Sequence, residues 1–133
     1  MTDFKVTSSM LTFGGAFYPK GYMFILFPAE KDAHQVAASL GQWIDKPDVQ
    51  QLSPATILHE IGKVDGDTDV DLPAVGTEGA TVHKYVQLAR QGHCALMIKA
   101  DSDEIAERVM TEVRKVTFSY GQRYHLLAIE DLE

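Results

Sequence analysis

Apolar residues run unbroken from Tyr22 to Phe27 and again from Cys94 to Ile98. Runs this short, the first bounded by Gly21 and Pro28, predict strands buried on both faces. After each run the period lengthens. Ala33, Val36, Ala37, Leu40 and Trp43 recur at helical spacing between Glu30 and Trp43, and Ile105, Ala106, Val109, Met110, Val113 and Val116 do so after Asp101. Asp101 with Glu104 three residues on is an Asp version of the capping box. Lys46-Pro47-Asp48 closes the first helical region, after which Ala55 to Ile61 reads as a second strand. Phe118-Ser119-Tyr120-Gly121 turns the chain, and Tyr124 to Ile129 reads as a fourth strand. Between the halves lies a polar, acidic stretch, residues 62–79. A helix then follows from Ala80 to Arg90, with Val82, Tyr85, Leu88 and Ala89 on one side and Gly92 just past its end. Before all this, Phe4 to Thr7 and Met10 to Phe13 read as short strands, punctuated by Gly14-Gly15 and Pro19-Lys20-Gly21.

The two halves repeat a phrase. GYMFILFPAEKD at 21–32 is echoed by GHCALMIKADSD at 92–103, with Gly21 matching Gly92, Ala29 matching Ala100 and Asp32 matching Asp103. With a shift of two residues the helical apolar positions align as well. Each half therefore reads strand, helix, strand, and right-handed crossovers put both helices on one face. Interleaving two such units gives a four-stranded antiparallel sheet with the first and third strands at its centre. This is an α+β class of ferredoxin-like duplication, βαβ-βαβ, in one domain spanning residues 1–133. Its parts are an N-terminal extension at 1–20, a first unit at 21–61, an acidic loop and linking helix at 62–91, and a second unit at 92–133.

Strand alternation sends Tyr22, Phe24 and Leu26 to one face and Met23, Ile25 and Phe27 to the other. Helices on one side leave the second apolar face to be covered. The candidates are the N-terminal segment, the helix at 80–90, or a second copy of the chain packed sheet to sheet. By analogy with small modules of this build, a homodimer is the expected arrangement.

Composition narrows the function classes. The chain has 133 residues, 45% hydrophobic and 23% charged, with a net charge of −7. Phosphate binding needs clustered Lys and Arg, so neither nucleic acid nor an anionic membrane is the expected partner. No apolar run approaches the twenty or so residues of a membrane helix. The opening residues lack the pattern of a signal peptide. The lone Cys94, inside an apolar run, fits a small buried hydrophobe in a reducing cytoplasm.

Candidate chemistry is sparse. Asp65, Asp67, Asp69 and Asp71 alternate like the first half of a calcium loop, but the sixth position is Val70 and the twelfth Gly76. A solvated acidic loop competes with a divalent-cation site there. The glycines of FGGAFYPKGY match neither a dinucleotide fingerprint nor a phosphate loop. None of the five histidines stands in a zinc spacing. His59, followed by Glu60, invites an acid–base role, and His93 on the neighbouring strand is placed to approach it. The bland alternative is an edge histidine bonded to backbone. His93 and Cys94 point to opposite faces and form no dyad. Tyr22, Tyr124 and His125 are the candidate ligand-lining residues, with His125 joining His59 and His93 as a possible acid or base.

Three functions follow as expectations. The first is a small cytoplasmic, non-catalytic ligand-sensing or stress-associated module that works as a homo-oligomer and takes a small-molecule ligand. The second is a cofactor-free dimeric α/β-barrel-type enzyme using one of the three histidines. The third is a divalent-cation-binding acidic loop. The residues specify no cofactor.

Overall fold

The computed structural model of the chain describes residues 19–44, 48–62, 77–125 and 129–133. The strand-like N-terminal segments and Asp65, Asp67, Asp69 and Asp71 lie outside these residues.

Strands β1 (Tyr22–Phe27) and β3 (Cys94–Lys99) form where the two unbroken apolar runs predict them. They pair antiparallel, with Phe24 opposite Met97 and Ile25 opposite Leu96. β2 (Val49–Leu52) pairs with the far edge of β3, and β4 (Tyr120–Tyr124) with the other edge of β1. A short β5 (Ile129–Asp131) pairs with β4. The antiparallel order is β2-β3-β1-β4-β5, five strands where the sequence pattern predicts four.

Two strand expectations are corrected. Residues 55–61 are not a strand. Pro54 opens a single α-turn, α2 (Pro54–Thr56), whose N-cap Ser53 accepts a hydrogen bond from the Thr56 amide at 3.1 Å. A capping Ser followed by Pro at the first helical position starts a helix, and that local signal overrides the apolar content of the segment. The chain then widens into a π-helical turn, Ile57–Ile61, which buries Ile57 and Ile61. The fourth strand starts at Tyr120, so Gly121 is not part of a turn. It sits inside β4, where a Cβ would lie 3.3 Å from Leu132 and 3.5 Å from Ile25. That close approach leaves little room for a side chain, since Leu132 would have to give by a few tenths of an ångström.

Helices α1 (Glu30–Leu40) and α4 (Asp103–Val113) lie over one face of the sheet. The expected cap at Asp101 is instead Ser102, whose side chain accepts from the Ile105 amide at 3.1 Å. α1 ends at Leu40, short of Trp43. Trp43 packs at the core's edge, with the Arg108 guanidinium 4.0 Å above its ring. Helix α3 (Thr77–Arg90) ends in a Schellman turn, in which the amides of Gly92 and His93 donate to the carbonyls of Ala89 and Leu88. Gly92 takes φ +92° and Gly21 φ +83°, and among the described residues these two shared glycines alone have positive φ. No other residue type adopts that backbone without strain.

α3 decides the second face. Val82, Tyr85, Leu88 and Ala89 pack with Ile57 and Ile61 onto Phe24, Leu26, Met97 and Tyr124, all buried. The apolar face on which a sheet-to-sheet homodimer was expected is therefore filled by the chain itself. Among the described residues Leu58 is the one large apolar side chain left exposed. No described helix is long and apolar enough to cross a membrane.

Candidate functional site

Alongside α4, from Asp103 to Arg114, β4, β5 and the closing residues Leu132 and Glu133 line an open groove of about 500 Å³. Period two puts Arg123 of β4 on the same face as Gly121, where the pattern calls for an apolar residue. Its side chain is only 11% exposed and reaches up to α4, donating from Nη1 to Asp103 Oδ1 at 2.7 Å. Glu130 of β5 stands directly opposite Arg123 in the ladder. It does not turn to the arginine, but meets His125 Nε2 through Oε1 at 2.8 Å. Arg114 lines the far wall, bonded to Glu107 at 2.8 Å and to the Glu133 carbonyl at 2.9 Å. A smaller groove of about 290 Å³ beside Trp43 is occupied at its rim by the Arg108–Trp43 stack.

Of the candidate site residues named in the sequence that fall among the described residues, His125 alone lines the larger groove. His59 lies on the π turn rather than on a strand, 82% exposed, 3.4 Å from Glu60. His93 lies just before β3, with Nδ1 2.8 Å from Ser119 Oγ. Ser119 Oγ in turn donates to the Leu26 carbonyl at 3.1 Å, so the imidazole is the donor in the His–Ser bond. A histidine donating to a serine is not its base. His59 thus meets Glu60, and His93 meets Ser119.

Tyr22 and Tyr124 do reach the same face, but as core. Tyr124 is 1% exposed, and its hydroxyl lies 2.7 Å from that of the fully buried Tyr85. Tyr85 stacks on Phe24 with centroids 4.3 Å apart and meets Tyr120 edge-on. Burial, then the neighbouring Tyr124, pushes the Tyr85 phenol well above its ordinary range. Gln122, beside them on the same strand face, donates to Asp131, while its Oε1 is sealed from solvent with no partner. Cys94 is buried with its thiol near the Phe27 carbonyl, and burial raises its pKa, which keeps it protonated and unreactive.

Among the described residues no three His, Cys, Asp or Glu side chains are placed to hold a metal ion. Arg123, Asp103 and Glu130, the residues that shape the groove, carry no motif. The available signal was an arginine at a core-facing position of a short strand. Comparison with protein-family models, with curated proteins and with solved structures finds no match to the chain.

Proposed function

We propose that the chain is a small, non-catalytic ligand-binding module, built as a ferredoxin-like duplication and working as a single chain. The duplication is supported by the matched left-handed glycines at 21 and 92, each leading into an interior strand. The observation that carries the function is the charged groove between α4 and β4–β5. Its half-buried arginine and facing carboxylate are each held by another protein group, and both keep bonding capacity toward the groove. Pockets of this size suit small molecules, and convergent polar groups fix their orientation. The barrel-type enzyme reading asks for a roomy cavity between sheet and helices, whereas both layers are filled with side chains. The sheet face expected to carry a homodimer is covered by α3, which supports the single-chain reading.

A thermal-shift screen of small charged metabolites tests the proposal. Hits are expected to raise the Tm of the wild type and to be lost in Glu107→Trp, which fills the groove from an exposed position. A broad library without a hit overturns it. Light scattering is expected to return a monomer, and a stable dimer would show that the single-chain reading is wrong.

A further inference from the structure

We propose that this groove takes a small zwitterion of the α-amino-acid type, its carboxylate on Arg123 and its ammonium on Glu130. The proposal rests on the groove being the binding site. Arg123 and Glu130 face each other across the β4–β5 ladder. Side chains at such positions start about 5 Å apart, and opposite charges there ordinarily pair. These two do not. Asp103 draws the guanidinium toward α4 at 2.7 Å, and His125 holds one Glu130 oxygen at 2.8 Å.

Each group is thus oriented by one bond and left with capacity to spare. A guanidinium has five N–H donors, and a carboxylate oxygen accepts more than one bond. Among the described residues the Arg123 side chain makes one hydrogen bond, to Asp103. Among the described residues Gln122 Oε1 is the sole side-chain polar atom both sealed and unpartnered, so the remaining Arg123 nitrogens stay open, and Arg123 lines the groove. A planar fork of donors suits a carboxylate. The neighbouring Glu130 oxygens suit an ammonium on the adjacent carbon.

Charge excludes the simpler ligands. A plain anion would meet Glu107, Glu130 and Asp131 in the same groove. A plain cation would leave the part of the Arg123 fork not bonded to Asp103 without an acceptor, which costs affinity. A ligand carrying both signs satisfies both walls. The excess of carboxylates further favours a cationic side chain, so lysine should bind more tightly than glutamate.

The test is an NMR titration of the full chain with three probes of one shape: leucine, N-acetylleucine and leucinamide. Leucine is expected to shift the Arg123 and Glu130 amides saturably, with either half-ligand at least about tenfold weaker. Glu130→Gln, an exposed change that leaves the fold intact, is expected to weaken leucine by a similar factor and to spare N-acetylleucine. Arg123→Gln should abolish both. Equal binding of leucine and either half-ligand overturns the zwitterion while leaving the groove a binding site. So does silence from all three probes when screen hits still shift these amides. Silence from probes and screen together overturns both proposals.

Discussion

On the α1–α4 side of the sheet, Met23, Ile25, Phe27, Leu96 and Ile98 meet Val36, Leu40, Val109 and Val113, a layer of aliphatic packing with the Cys94 thiol at its edge. On the α3 side, Phe24, Leu26 and Met97 share their layer with the Tyr85 and Tyr124 hydroxyls. The three polar side chains buried among the described residues belong to elements of this second side: Glu60 on the π turn, Thr81 on α3 and Gln122 on β4. Aliphatic layers stabilise without much direction and tolerate shape-conserving swaps. A buried hydroxyl pair holds only when α3 docks at one angle and one height, because a misplaced hydroxyl is left unpaired in a dry layer. The first side therefore supplies burial, and the second fixes where the linking helix sits.

The largest expected effect compares the two layers directly. Phe24→Ala removes the stack on Tyr85 and should cost about 4 kcal/mol, and Leu96→Ala on the opposite side about 3 kcal/mol. Urea unfolding followed by circular dichroism and by tyrosine fluorescence is the measurement. Coincident transitions in both variants mean the layers unfold as one unit. An early fluorescence transition in Phe24→Ala alone would mean that α3 detaches by itself, and the comparison would become one between a core and a docked helix.

A second substitution tests whether the buried amide belongs to the α3 layer. Gln122 is 1% exposed and donates to the Asp131 carboxylate. Gln122→Glu keeps the shape but sets one carboxyl against another in a buried place. The expected loss is about 3 kcal/mol at neutral pH. Burial and Asp131 raise the folded pKa of the new carboxyl above its unfolded value, so the native state holds the proton longer. The loss therefore vanishes below about pH 4 and grows as pH rises. Urea midpoints at pH 4 and pH 7 decide it, and equal midpoint differences at both would place this side chain in water.

The contrast between the layers also explains what was legible. The aliphatic side follows from periods alone: residues 22–27 and 94–98 state their strands, and the spacings 33-36-40 and 106-109-113 state the helices that cover them. α3 was legible as a helix, with Tyr85 on its apolar side, but one helical period does not say which sheet face it will meet. The segment 55–61 reads as a strand because a short apolar run fits either element, and Ser53-Pro54 ahead of it is the deciding local signal for a helix. The groove was the least legible. Arg123, Asp103 and Glu130 come from three elements, and only the β4–β5 ladder and the start of α4 bring them together. Of its lining, His125 stands out in the sequence by its chemistry rather than by its place.

The smallest effect tests the hydroxyl pair itself. Tyr85→Phe keeps the ring, the stack on Phe24 and the packing, and leaves the Tyr124 hydroxyl without this partner. The expected loss at neutral pH is about 1–2 kcal/mol. The pH dependence carries more information than this figure. The folded Tyr85 phenol lies well above its ordinary value, chiefly through burial. The unfolded chain releases that proton near pH 10 and the folded chain keeps it, so the native state binds more protons above that point. Wild-type stability should then fall as pH rises past about 10, by up to about 1.4 kcal/mol per unit from this group. The other tyrosines titrate in both proteins, so the wild-type-minus-variant difference isolates Tyr85. That difference should be flat from pH 7 to 9 and shrink toward pH 11 in urea melts. A difference constant to pH 11 would mean that Tyr85 ionises freely in the folded chain. The α3 layer would then be wet, and the contrast between the two faces would be one of residue type rather than of environment.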